Sequence, residues 1–177
     1  MKRNVQAFSD RYLVRILEKS DMDAVFELYQ GNPQYFASFR EPTVPDRART
    51  EEDRTALPPG KTAADKRFAG FFDGETLLAV LDLIDGYPQE DTAYVGLFLL
   101  RRDCQGKGEG TRIFSGVCAA LEQEGFARIR LAILKDNAQA QAFWKKNGFS
   151  VVEEAERGKE AFLLAEKILK TGENRKI

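Results

Sequence analysis

Residues 105–110 read Gln-Gly-Lys-Gly-Glu-Gly, four residues after the apolar run 94–100 and directly before a helix-like stretch, 111–124. Glycines at alternate positions remove the side chains that would keep a ligand off the main chain. The N–H groups at a helix start are unsatisfied donors carrying about half a positive charge. Such a turn is suited to an anion, and the chemistry it implies is phosphate binding. No Lys-Ser or Lys-Thr pair follows Gly108-Glu109-Gly110, so this is not a Walker loop, and its mid-chain position lacks the spacing of a dinucleotide fold.

The sequence contains no histidine. Imidazole bases, Ser-His and Cys-His pairs and histidine-ligated metals are therefore excluded, and proton transfer falls to carboxylates and phenols. Cys104 and Cys118 stand in no metal-ligand spacing and read as packing residues, so no metal is expected.

These groups need a scaffold. A chain of 177 residues with 43% apolar content fits a single domain over 1–177, with a core expected from 12 to 169 and a frayed tail from 170 to 177. The net charge is −1 with both signs interspersed, which lacks the basic field that nucleic acid requires. There is no apolar run of membrane-spanning length and no signal-like start, so a soluble cytoplasmic setting is expected.

The pattern predicts a strand over 12–17, then a helix capped by Ser20 with Met22, Val25, Phe26 and Tyr29 on one face, closed by Gly31-Asn32-Pro33. The irregular stretch 32–66 holds five of the six prolines and at most a weak helix at 51–56; such a segment covers a scaffold and shapes a cleft. A β-hairpin follows, 67–72 and 75–84 around Asp73-Gly74. Strands are predicted at 92–100, 128–134, 149–154 and 160–169, with helices over 111–124 and from 138 to just before Gly148, the latter capped by Asp136 and Asn137.

The order strand, glycine loop, helix, strand, helix, Gly-Phe, strand, strand resembles the GNAT acyl-CoA N-acyltransferases. Gln105, Gly108 and Gly110 match the family's (Gln/Arg)xxGx(Gly/Ala) signature, and Asn137 followed by Phe143-Trp144-Lys145-Lys146-Asn147-Gly148-Phe149 is similar to its second conserved segment. The resemblance implies an α/β fold with a mixed, centrally splayed sheet flanked by helices. It also implies acetyl-CoA as acyl donor, with its pyrophosphate on the amides of Gln105, Gly106, Lys107, Gly108, Glu109, Gly110 and Thr111. The pantetheine arm would lie along Phe98, Leu99 and Leu100, with Asn137, Phe143 and Trp144 as further contacts.

Trp144 occupies the position where the family often has a proton-donating tyrosine, and an indole has no transferable proton at neutral pH. Tyr35 and Tyr94 are the replacement candidates. A base matters more, since an amine of pKa near 10.4 is only ~0.04% neutral at pH 7. Asp82, Asp85, Glu90 and Asp91 border the implied active site and Glu41 lies in the irregular segment; Asp85 is the first candidate. Glu109, where the family prefers an apolar residue, is expected to point away from the phosphates.

The reading is an N-acetyltransferase acting on a primary amine of a small molecule by direct attack in a ternary complex, with a homodimer possible. The alternative is a non-catalytic acyl-CoA-binding sensor on the same scaffold.

Overall fold

The computed structural model describes residues 4–41 and 43–169, so the expected fraying of 170–177 lies outside the described residues. Strands β1 (Leu13–Ile16), β2 (Lys66–Asp73), β3 (Thr76–Asp85), β4 (Thr92–Leu100), β5 (Arg128–Leu134), β6 (Ser150–Arg157) and β7 (Glu160–Ile168) form a sheet in the order β1-β2-β3-β4-β5-β7-β6. All neighbours are antiparallel except β4 and β5. Helices α1 (Met22–Gln30), α2 (Pro33–Ala37) and α3 (Arg47–Thr55) precede β2, while α4 (Glu109–Gln123) and α5 (Ala138–Lys146) follow β4 and β5. The expected mixed, splayed sheet is thus observed. None of the described helices is long and apolar enough to cross a membrane.

Alternation along the strands produces a core on each face of the sheet. Ala79, Leu81 and Leu83 of β3 pack with α4, Trp144 and Phe149, and this core also takes in Val5 and Phe8, upstream of the Tyr12 boundary expected from sequence. Val80 of β3 and Leu97 and Leu99 of β4 pack with Val25, Tyr29 and Phe36 on the opposite face.

Three local expectations need correction. Ser20 does not cap α1: it lies inside a 3₁₀ turn, Lys19–Asp21, whose capping box is formed by Glu18 and Asp21, a pair of acids doing what a hydroxyl usually does. The hairpin turn is Gly74-Glu75 rather than Asp73-Gly74, because Asp73 still pairs with Thr76. The helix foreseen at 51–56 starts at Arg47, capped by the Asp46 carboxylate accepting from the Arg49 N–H. Its side chains are mostly charged, so an apolar period could not announce it.

Candidate active site

The parallel β4–β5 ladder runs only from Thr92↔Arg128 to Val95↔Leu131. Beyond it β5 keeps pairing with β7 through Leu134, while β4 keeps pairing with β3 through Leu100, so the two strands part. A cavity of about 680 Å³ opens in the gap, lined by residues 94–100 of β4 and 131–134 of β5.

At one end of this cavity lies the glycine turn. Gly106 and Gly108 have φ of 72° and 78°, the left-handed region, and Gly108 stands at the N-cap of α4. The N–H groups of Gly106 through Thr111 find no hydrogen-bond acceptor among the described residues, and no side chain caps the helix. Unpaired main-chain donors at a helix start form an anion cradle. Gln105, Gly106, Gly108, Gly110 and Thr111 line the cavity. Lys107 is exposed and does not, and Glu109 is turned aside: its Oε1 accepts from the Tyr12 hydroxyl at 2.5 Å. That contact, with burial, raises the Tyr12 pKa, and it gives the physical means by which an acid is tolerated beside the cradle.

The turn is anchored by a pair of amides, the buried Asn32 and the half-buried Gln105. Gln105 Nε2 donates to the Leu100 carbonyl at 2.8 Å and to Asn32 Oδ1 at 2.7 Å, while Asn32 Nδ2 donates to the same carbonyl at 3.1 Å and to Leu28 O at 2.9 Å. The sequence does not announce Asn32 as a site residue, because an Asn before Pro reads as part of a turn. Its donors tie the end of α1 to the end of β4. They also occupy the Leu100 carbonyl, so of the implied pantetheine strand Phe98 and Leu99 keep the more open main chain, and Leu100 contributes to the wall.

Asn137 caps α5 through Oδ1, which accepts from the Ala140 N–H at 3.0 Å, and the residue lines the cavity. Phe143 and Trp144 line the same cavity. Trp144 is also buried, 4.9 Å from Phe114, 4.9 Å from Phe143 and 5.1 Å from Phe149 between ring centroids, so it is at once a packing aromatic and a wall. Arg102, which no sequence pattern announces, and Lys146, of the 143–149 segment, add positive charge to the lining.

The other end of the cavity is built from β4 and from what lies behind it. Asp82 pairs with Leu97 and Leu83 with Val95, leaving Gly96 as the extra residue of a β-bulge. A Cβ at Gly96 would come within 2.5 Å of Asp82 Oδ2, so only glycine fits in front of that carboxylate, and Gly96 itself lines the cavity. The other carboxylate oxygen lies 2.9 Å from Lys66 Nζ, in an ion pair without directed hydrogen-bond geometry. Burial pushes the Asp82 pKa up to about 6, against the lowering influence of Lys66.

Asp85, the first candidate base, is elsewhere. Three residues along the strand reverses the face, and Asp85 ion-pairs with the buried Arg67 at 2.6 Å beside Glu124, over the Phe8 ring on the α4 side. Asp91 pairs with Arg128 at 3.4 Å, and Glu90 is exposed; both lie in the turn before Thr92, the end of β4 away from the cavity. Glu41 pairs with Lys159 at 2.7 Å on the rim. Tyr35 and Tyr94 do line the cavity. Burial pushes the Tyr35 phenol up to about 12 and raises Tyr94 as well, so both stay protonated at neutral pH. Among the described residues no group of three or more His, Cys, Asp or Glu could hold a metal.

The family model described as acetyltransferase (GNAT) family matches residues 22–149, and the chain belongs to that family of transferase enzymes. No curated protein sequence matches it. Among solved structures, an acetyltransferase from Thermus thermophilus is similar at 23% identity and TM-score 0.72, covering 89% of this chain and 97% of that one. The ribosomal-protein-S18-alanine N-acetyltransferase from Escherichia coli is similar at 16% identity and TM-score 0.65, covering 94% and 99%. The paia N-acetyltransferase from Thermoplasma acidophilum, in complex with coenzyme A, is similar at 18% identity and TM-score 0.61, covering 89% and 98%. At these identities the likeness is one of fold.

Proposed function

We propose that the protein is an acetyl-CoA-dependent N-acetyltransferase for a small primary amine, with Asp82 as general base. The observation that carries this reading is the continuity of one cavity from the free amides of 106–111 to Gly96 in front of Asp82.

The residues fit the donor. The amides and the α4 N-terminus receive its pyrophosphate, Arg102 and Lys146 add charge, and the unpaired edge of β4 around Phe98 and Leu99 lies open to a pantetheine arm. Bound there, acetyl-CoA supplies an activated thioester. The amine nitrogen attacks the thioester carbonyl carbon, a C–N bond replaces the C–S bond, and the amine proton passes to the Asp82 carboxylate through water. A base of pKa about 6 is mostly ionised at pH 7 and close enough to neutrality to take a proton efficiently. The thiolate has an ordinary thiol pKa near 8.5 and can depart as the anion, taking its proton from water, while the Tyr35 and Tyr94 hydroxyls of the wall can donate hydrogen bonds to it where Trp144 has no phenol.

A compact acceptor is favoured by the way the acceptor half is bridged. The Glu160 carboxylate on the β6–β7 turn accepts from the Arg40 and Glu41 N–H groups at 2.9 and 3.0 Å, tying the segment after α2 across to β7. The test is thiol release from acetyl-CoA over a panel of amines: wild type yields thiol and N-acetyl product in equal amounts, and Asp82→Asn loses the turnover but keeps donor binding. Binding of acetyl-CoA with no thiol released for any amine would favour the sensor alternative.

A further inference from the structure

We infer that the acceptor bears a carboxylate close to its amine, an amino acid rather than a polyamine or aminoglycoside, and that Arg157 is the residue that recognises it. This rests on the acetyltransfer reading of the same cavity. Among the described residues the cavity wall carries Arg49, Arg102, Lys146 and Arg157, and no carboxylate besides the proposed base Asp82, which stands behind Gly96. A site for a polycation would show the reverse, because each amine not undergoing reaction needs an anionic or polar partner once water is displaced. Arg102 and Lys146 lie at the turn after β4 and the end of α5, beside the phosphate cradle. The acceptor half is left with Arg49 and Arg157.

Those two are not equivalent. Arg49 is committed: its Nε donates to Asp53 Oδ1 at 2.9 Å, Asp53 is fixed from the other side by the Tyr29 hydroxyl at 2.7 Å, and the guanidinium packs on Phe36 and Phe39. Arg157 ends β6 and has no ion-pair partner among the described residues. Its cross-strand neighbour is Glu160, the natural partner, but that carboxylate is held by the Arg40 and Glu41 N–H groups. Two acids of the neighbouring segments are paired as well, Asp136 with Arg40 at 3.1 Å and Glu41 with Lys159 at 2.7 Å. The rim thus neutralises its acids elsewhere and leaves one guanidinium facing the cavity.

Placement relates the two ends of the substrate. Tyr94, Gly96 and Arg157 all line the one cavity, and the positive charge of Arg157 bears on the Tyr94 phenol, two residues from Gly96 along β4. A small acceptor can therefore set its amine before Gly96 and its carboxylate on Arg157. Tyr35, Phe39, Tyr94 and Phe162 around them offer an apolar slot for its side chain. A planar guanidinium fork binds a carboxylate through paired charge-assisted hydrogen bonds, which selects acids over neutral amines.

The experiment uses L-amino acids, each paired with its primary amide and its decarboxylated amine, with spermidine as a further acceptor. Turnover is read as thiol release, and binding to the coenzyme A-saturated enzyme is read by calorimetry. The acids are expected to exceed the matched amides and amines at least tenfold in kcat/KM. Arg157→Gln should raise KM for the acids by a similar factor and erase the preference, with the KM for acetyl-CoA unchanged. Equal or better use of the amines, amides or spermidine overturns the inference while leaving acetyl transfer in place. Acids that bind through Arg157 with no thiol released for any acceptor uphold the anion site and overturn acetyl transfer. Failure of every acid to bind or react overturns the inference itself.

Discussion

The two ends of the cavity are built on different principles. At the proposed donor end the wall is main chain: free amides of 106–111, a parted strand edge, and glycines that keep side chains out of the way. At the proposed acceptor end it is side chains brought from β3, β4, α2, α3 and the β6–β7 hairpin, several of them held through intermediaries such as Lys66, Asp53 and Glu160. A main-chain site tolerates sequence change except where geometry demands glycine, so it can serve one invariant cofactor. A side-chain site changes its ligand with each substitution, so specificity belongs there.

Substitutions at the two ends should therefore fail in different parameters. The largest effect is expected at the acceptor end. Asp82→Asn should lower kcat by about 10²–10⁴-fold, the usual worth of a positioned base, with the KM for acetyl-CoA unaltered. Because the Asp82 pKa is raised to about 6, the active carboxylate form accumulates as pH rises through that value, so wild-type kcat should climb between pH 5 and 7 and the variant should lack this limb. Gly96→Val tests this placement independently: the carboxylate remains but the space in front of it is filled, and steady-state kinetics should show a loss similar to that of Asp82→Asn.

At the donor end, Gly108→Asp should act on binding. A left-handed φ costs a non-glycine residue stability with or without ligand, whereas a charge near the phosphates costs about 1 kcal/mol in the complex alone. The latter weakens acetyl-CoA about fivefold in calorimetry. A fall in kcat at saturating donor with no change in affinity would break the division between the two ends. The smallest effect is expected from Tyr12→Phe, which frees Glu109 to face the cradle. Donor affinity should fall only a few-fold, and low salt should enlarge the loss because exposed charges are then less screened.

The donor end was also the legible one. Strands Thr92–Leu100 and Arg128–Leu134 have the bounds that alternation assigns, and the glycine turn between β4 and α4 is where its residues place it. Periodicity and turn chemistry are local, and so is a cradle made of consecutive amides. The acceptor end depends on faces and partners that no local pattern carries. Asp82 and Asp85 look alike along the chain, and only their odd separation, fixed by the register of β3, puts one behind Gly96 and the other against Arg67. A glycine inside an apolar strand was the available sign of a bulge. Arg157 had no sign at all, because what distinguishes it is the engagement of Glu160 by backbone donors more than a hundred residues away.

The amides of Gly106 through Thr111 are proposed to hold the donor. Amide ¹H–¹⁵N spectra recorded while coenzyme A is added test this most directly. Saturable shifts concentrated on those residues, to lower field as their protons gain phosphate acceptors, are the result expected. Binding of coenzyme A at calorimetric saturation with those resonances unmoved would contradict it.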